Sequence, residues 1–191
     1  WGKIAARYGL KPIELKVEWG TAARVEDVKQ LLDAHPGIRG VLMQGSETST
    51  GVRHPVEEIA KLTRTRDTLL IVDGITAVGV FDLPMDTVGI DVLLTGSQKA
   101  LMLPPGLAFA ALSERAWERN KTATCPRFYF DFAKERDSLA KDTSAWTPAL
   151  TLISGLREAL AIMKEEGFAN VYARHARMSE AARAAAAALD L

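Results

Sequence analysis

The stretch Asp91-Val92-Leu93-Leu94-Thr95-Gly96-Ser97-Gln98-Lys99-Ala100-Leu101, closed by Pro104-Pro105-Gly106, decides how this chain reads. Its apolar first half has the pattern of a buried strand, and a lone lysine follows just before the Pro-Pro-Gly break. Lysine is costly to bury unless its amine is neutralised, paired or used covalently. Upstream, a second apolar run, Leu69-Leu70-Ile71-Val72, ends in Asp73-Gly74. An acid and a lysine, each at the tip of its own strand, suit an aldehyde cofactor with a pyridine ring. The lysine would form the Schiff base and the aspartate would face the ring nitrogen. Taken singly, each residue has a plainer use: a surface lysine with a snorkelling stem, or an aspartate capping a turn before glycine.

Outward from these two strands the chain alternates apolar runs with helical patterns. Ile13-Glu14-Leu15-Lys16-Val17 alternates apolar and polar, which predicts a half-buried strand. Val25, Val28, Leu31 and Leu32 recur at helical spacing until Pro36-Gly37. Gly40–Met43 reads as a short apolar strand running into the polar loop Gly45–Gly51, and Pro55 opens a helix with Val56, Ile59, Ala60 and Thr63 on one face. Leu107–Leu112 predicts a further buried strand, and the pattern then weakens from Ser113 to Ser144 around the aromatic run Phe128–Phe132. That run suits a surface-crossing segment or a subunit contact. Leu152, Leu156, Ala159, Leu160 and Met163 form a helical stripe stopped by Gly167, and a last helix runs from Phe168 to the end.

Apolar strands alternating with amphipathic helices predict an α/β fold: a mainly parallel sheet with helices on both faces. Ligands of such sheets bind outside the carboxyl ends of the strands. The loops after Met43, Asp73 and Thr95 all follow a strand, so all three should open on that edge.

Composition narrows the function classes. The 191 residues include 24 basic and 24 acidic side chains. A net charge of zero argues against nucleic-acid or membrane-surface partners. No apolar stretch approaches the roughly 18 residues of a membrane span. One cysteine, Cys125, excludes an internal disulfide framework and fits a reducing, cytoplasmic compartment. His35, His54 and His175 lie far apart without ligand spacing, so no metal site is expected. The pattern reads as helical at both ends, which predicts a piece of a larger protein.

Three motifs in order, Glu47-Thr48-Ser49-Thr50-Gly51, Val72-Asp73-Gly74-Ile75 and Gly96–Leu101 through Pro104-Pro105-Gly106, together resemble the class V aminotransferases. Within that family they are similar to the alanine–glyoxylate and serine–pyruvate enzymes. Trp1 to Gly9, Thr147-Pro148 and Gly155–Leu160 extend the resemblance over nearly the whole chain. It implies the large domain of the pyridoxal-phosphate-dependent aspartate-aminotransferase fold type. Residues 1–150 would be the cofactor-binding large domain and 151–191 a helical connection towards a small C-terminal domain. The implied activity is transfer of an amino group between a small amino acid, alanine or serine, and glyoxylate or pyruvate, in a homodimer.

Carried over by resemblance, Lys99 is the Schiff-base lysine and proton carrier, and Asp73 pairs with the pyridinium nitrogen of pyridoxal 5'-phosphate. Thr48 bonds the cofactor's phenolic oxygen, Gln98 its phosphate, and Ile75 packs on one ring face. Thr147 reaches the cofactor phosphate of the neighbouring subunit. One departure is Ser144, where family members often carry an aromatic residue. The phosphate-binding Gly-rich loop, the ring-stacking aromatic and the carboxylate-clamping arginine would lie outside residues 1–191. Competing readings within the fold are cysteine desulfurases, lyases, kynureninase-like hydrolases and a catalytically incomplete relative. Desulfurases typically place histidine before the lysine, where this chain has Gln98. A dinucleotide-binding domain lacks its G-x-G-x-x-G turn here.

Overall fold

The structure, a computed structural model, describes residues 1–190. Its elements in chain order are α1 (Gly2–Arg7), α2 (Val25–Ala34), β1 (Gly40–Gln44), β2 (Ser46–Glu47), β3 (Val52–Arg53), α3 (Val56–Arg64), β4 (Leu69–Asp73) and α4 (Met85–Val88). They continue with β5 (Val92–Gly96), β6 (Ala108–Leu112), α5 (Glu114–Lys121), α6 (Phe132–Leu139), α7 (Leu150–Glu166) and α8 (Phe168–Ala188).

The main sheet has the order β1-β4-β5-β6. The first three strands are parallel, with Gln44 opposite Asp73 and Asp73 opposite Leu94, while β6 returns antiparallel to β5. The apolar runs therefore form the parallel strands that their composition predicts, and β1, β4 and β5 all end on one edge.

Helix α3 shows how pattern becomes packing. Pro55 caps it, and Val56, Ile59, Ala60 and Thr63 form one buried face. Thr63 is tolerated there because its hydroxyl donates to Ala60 O at 3.1 Å. This face joins Val28 and Leu32 of α2, Met43 of β1, Leu70 and Val72 of β4, and Ile90 in one core. Burying Ile59 or Leu70 contributes roughly 1.5–3 kcal/mol each through apolar area removed from water. A second, smaller cluster joins Leu101 to Met163 of α7 and Val171 of α8, with Phe109 and Leu156 packed against it. The corner between α7 and α8 turns at Gly167, whose φ of +84° lies in the left-handed region that favours glycine. Arg174 spans that corner by a two-pronged pair to Glu166, at 2.7 and 2.8 Å.

Three expectations are corrected. Ile13–Val17 forms no strand: the segment has no regular structure and is exposed, because alternation makes a strand only where a neighbour completes the ladder. Leu107–Leu112 is a strand from Ala108, but an edge strand with Ala108, Ala110 and Ala111 exposed rather than a buried one. The loop Gly45–Gly51 contains a short antiparallel hairpin, β2 against β3, with Thr48 in its turn. Two helices, α5 and α6, occupy the stretch where the apolar pattern weakens. Side-chain caps start both, Ser113 accepting from Ala116 N and Asp131 from Ala133 N. Among the described residues no helix is long and apolar enough to cross a membrane.

Candidate active site

The carboxyl edge of the parallel strands gathers the three loops into one place through backbone bonds. Gly45 N donates to Asp73 O at 2.8 Å, and Gly74 N donates to Leu94 O at 2.7 Å. Thr76, in the turn after Asp73, donates its hydroxyl to Ser46 O at 2.9 Å. The hairpin carrying Thr48, the tip carrying Asp73 and the end of β5 are thereby held in register.

Asp73 is half-buried, and its Oδ1 accepts the N–H of Ile75 at 3.0 Å. No other hydrogen bond and no ion pair engages its carboxylate among the described residues, so Oδ2 remains open to a donor. Ile75 and Gln98 converge from opposite loops on Gly96. A Cβ placed on Gly96 would stand 2.8 Å from Ile75 Cδ1 and 2.8 Å from Gln98 Oε1. Glycine at 96 is what lets these two side chains approach the strand end.

Lys99 and Gln98 are both exposed, which corrects the expectation of a lysine at a buried position. The strand stops at Gly96, and the lysine lies on the turn beyond it. The cost of burying a lysine therefore does not apply; what distinguishes Lys99 is where it is held. Its amine carries no hydrogen bond or ion pair among the described residues. Ser97, by contrast, is fully enclosed. Ser97 N donates to Leu107 O at 3.0 Å and Ser97 O accepts from Leu103 N at 3.1 Å. Its hydroxyl donates to Pro104 O at 2.7 Å and accepts from Leu107 N at 3.2 Å. Met102, at φ +59°, bends the same loop and donates its N–H to Lys99 O at 2.9 Å. Sequence reading passed over Ser97; its signal was a small hydroxyl residue wedged between a glycine strand end and a Pro-Pro-Gly break.

Thr48 is exposed at the hairpin turn, and the neighbouring Glu47 accepts both the N–H and the hydroxyl of Ser49, at 2.9 and 2.7 Å. Those bonds, the backbone one first, hold the Glu47 carboxyl below its usual range. His54 closes the base of the hairpin, its Nδ1 accepting Ala23 N–H at 3.2 Å. Burial pushes the His54 imidazole down from its ordinary value, and the Glu47 charge opposes that shift. Thr147 stands apart in the loop before α7, exposed and without a hydrogen bond to the other site residues. A cleft of about 1200 Å³ runs from residues 1–23 along α2 and β1 to Glu47, Ser49, Thr50 and His54 of the hairpin, and neither Asp73 nor Lys99 lines it.

A family model and curated relatives match this chain over its full length. The family model described as "Aminotransferase class-V" matches residues 1–191. A protein of Synechococcus sp. called "Soluble hydrogenase, small subunit" is 41% identical over 100% of this chain and 50% of its own length. The "Serine--glyoxylate aminotransferase" of Methylorubrum extorquens is 36% identical, again over 100% of this chain and 50% of its own length. The crystal structure of an alanine–glyoxylate aminotransferase from Nostoc sp. superposes with a TM-score of 0.88 at 30% identity, covering 93% of this chain and 48% of that one. The chain thus spans about half the length of the curated relatives it matches.

Proposed function

This chain belongs to the class V aminotransferase family, and from that premise we propose that it is the cofactor-binding part of a pyridoxal-phosphate-dependent transaminase. The amino group would pass between a small amino acid, alanine or serine, and glyoxylate or pyruvate. The similarity to glyoxylate aminotransferases supports the substrate class. The observation that carries the reading is the carboxyl edge itself, where adjacent parallel strands lead to Asp73 and to Lys99 with an open carboxylate oxygen and an unpaired amine.

The residues fit such a group. Asp73 Oδ2 is free to accept a hydrogen bond from a pyridinium N–H while Oδ1 is kept oriented by Ile75 N–H. Lys99 would hold the cofactor through its amine, Thr48 would bond its phenolic oxygen, Gln98 its phosphate, and Ile75 would support one ring face. The cofactor, once bound, supplies an electron sink for carbanion chemistry at the substrate α-carbon. Asp73 beside the ring nitrogen would hold a proton there and so keep that sink charged. Lys99 Nζ, on a loop stiffened by Ser97, would take and return the α-proton. Residues 1–150 would form the large domain and 151–191 the helical lead towards a smaller one, with Thr147 serving the cofactor phosphate of a second copy. A homodimer in the cytoplasm completes the proposal.

Borohydride reduction of the full-length protein, followed by peptide mapping, tests it. The pyridoxyl label is expected on Lys99. A label on another residue, or none when cofactor is bound, rejects the assignment. Half-reactions with alanine, serine and aspartate then identify the amino donor.

A further inference from the structure

The exposed aromatic run Phe128–Phe130 and the segment before α7 are joined by one side chain, Trp146. Its ring stacks on Tyr129, with centroids 4.7 Å apart and planes 19° apart, and leans on Phe128 at 5.6 Å. Its indole Nε1–H donates to Tyr129 O at 3.1 Å. From α6 the ammonium of Lys134 sits 3.8 Å from the Trp146 ring centroid and 4.7 Å from that of Phe128. Ser144 Oγ donates to Trp146 O at 2.7 Å, so the backbone of Trp146 is held as well as its ring.

The next residue is Thr147, and Pro148 follows it. A residue before proline is confined to extended conformations. Thr147 is therefore stiffened from both sides, yet its hydroxyl has no hydrogen-bond partner among the described residues and its side chain is exposed. A stapled loop that presents one free hydroxyl can offer it in a fixed direction.

We propose that Trp146 is a positioning residue that fixes Thr147 so that its hydroxyl meets the cofactor phosphate held by a second copy of the chain. The proposal rests on the reading of Thr147 given above and adds the device that aims it. Removing Trp146 frees the backbone before Thr147 without touching the donor itself. The loss should fall on the phosphate and spare the rest of the cofactor.

The test uses the full-length protein and compares the dissociation constants of pyridoxal phosphate and of pyridoxal, which lacks the phosphate, in wild type, Trp146→Ala, Trp146→Phe, Thr147→Ala and Trp146→Ala/Thr147→Ala. One charge-assisted hydrogen bond corresponds to roughly a tenfold weakening. Trp146→Ala is expected to weaken pyridoxal phosphate about that much and to leave pyridoxal within about twofold. Trp146→Phe keeps the stack and the Lys134 contact but loses the indole N–H, and a loss of about threefold is expected. The double variant should bind no worse than Thr147→Ala alone, because both act on one contact. If Thr147→Ala loses phosphate affinity while Trp146→Ala weakens both ligands equally or neither, Trp146 is only a loop staple and the proposal is overturned. If Thr147→Ala leaves the ratio of the two constants unchanged, the reading of Thr147 falls and this proposal with it. Should Trp146→Ala not fold, Trp146→Phe decides by the same ratio: selective weakening supports the proposal, an unchanged ratio overturns it.

Discussion

The two ends of the sheet use the same residue types in opposite ways. At the amino end Asp91, 2% exposed, accepts Leu70 N–H at 2.9 Å and the Ser113 hydroxyl at 2.8 Å, with Arg115 at 3.4 Å. Arg115 also donates to the carbonyls of Arg66 and Thr68, both at 3.0 Å. Around them Asp67 pairs with Arg39 and Arg119, and Asp33 with Arg66 and Lys29. At the carboxyl end Asp73 accepts a single backbone N–H and Lys99 has no partner among the described residues. Charge at one end is spent on closing the strands together. At the other, Asp73 and Lys99 are left open, and the strand ends are held together by neutral groups, backbone amides, Thr76 and Ser97, with the Glu47 carboxylate bonded only within its own hairpin. The antiparallel return of β6 makes the contrast possible, since it brings Ser113 and Arg115 back to the amino end. An end whose charges already have partners has little to offer a ligand, whereas unpaired groups on a stiff frame are ready to act.

The largest expected effect comes from swapping the open acid for its amide. Asp73→Asn keeps an oxygen for Ile75 N–H but removes the charge that holds the ring nitrogen protonated. Amino transfer by the full-length protein should fall at least about a hundredfold, or roughly 2.7 kcal/mol of transition-state stabilisation, with little change in the urea midpoint. Near-normal turnover would show that Asp73 is only a turn residue, and the contrast between the ends would collapse.

The reverse result is expected at the amino end. Asp91→Ala leaves Leu70 N–H buried without its acceptor and Arg115 without its counter-charge. A loss of about 2–3 kcal/mol of folding stability is expected, less than a fully buried pair would lose because Arg115 is 40% exposed. Urea unfolding should register it, while kcat measured well below the transition stays as in wild type. A fall in kcat without a fall in stability would mean that the two ends are not separable.

The smallest effect tests a neutral group at the carboxyl end, the His54 imidazole. His54 must keep Nδ1 unprotonated to accept Ala23 N–H, and burial lowers its folded value below the ordinary 6.5. The unfolded chain then takes up the proton first as pH falls, so stability rises with pH across that window. Its contribution is complete above about 6.5 and is lost as pH drops through the folded value. Glu47, lowered by the Ser49 bonds, loses its own contribution only below its ordinary 4.5. Urea midpoints at pH 7.5 and 5.5 should differ in wild type, and the difference should shrink in His54→Asn. An equal difference in that variant would remove His54 as its source.

Legibility in the sequence followed how local the cause was. Helix α3 and strands β4 and β5 were readable because their burial pattern is written within each element, as at Val56, Ile59, Ala60 and Thr63. The placement of Asp73 at the tip of β4 and of Lys99 just past β5 followed from the same runs. Ile13, Leu15 and Val17 misled because a strand needs a neighbour, and these residues are 46%, 36% and 41% exposed without one. Helices α5 and α6 were hidden because little of them is buried: α5 encloses only Ala116 and α6 nothing.

The sequence by itself determined the parallel strands, the edge on which the three loops open and the residue types available there, since each depends on hydrophobic period and on where a run stops. Only the tertiary structure decided that Ser97 is enclosed while Lys99 is exposed. It alone turned β6 antiparallel and paired Asp91 with groups 21 to 22 residues away in the chain. These outcomes depend on which elements come to lie side by side, and burial or pairing across such separations is a property of the packed assembly of elements, not of any one segment.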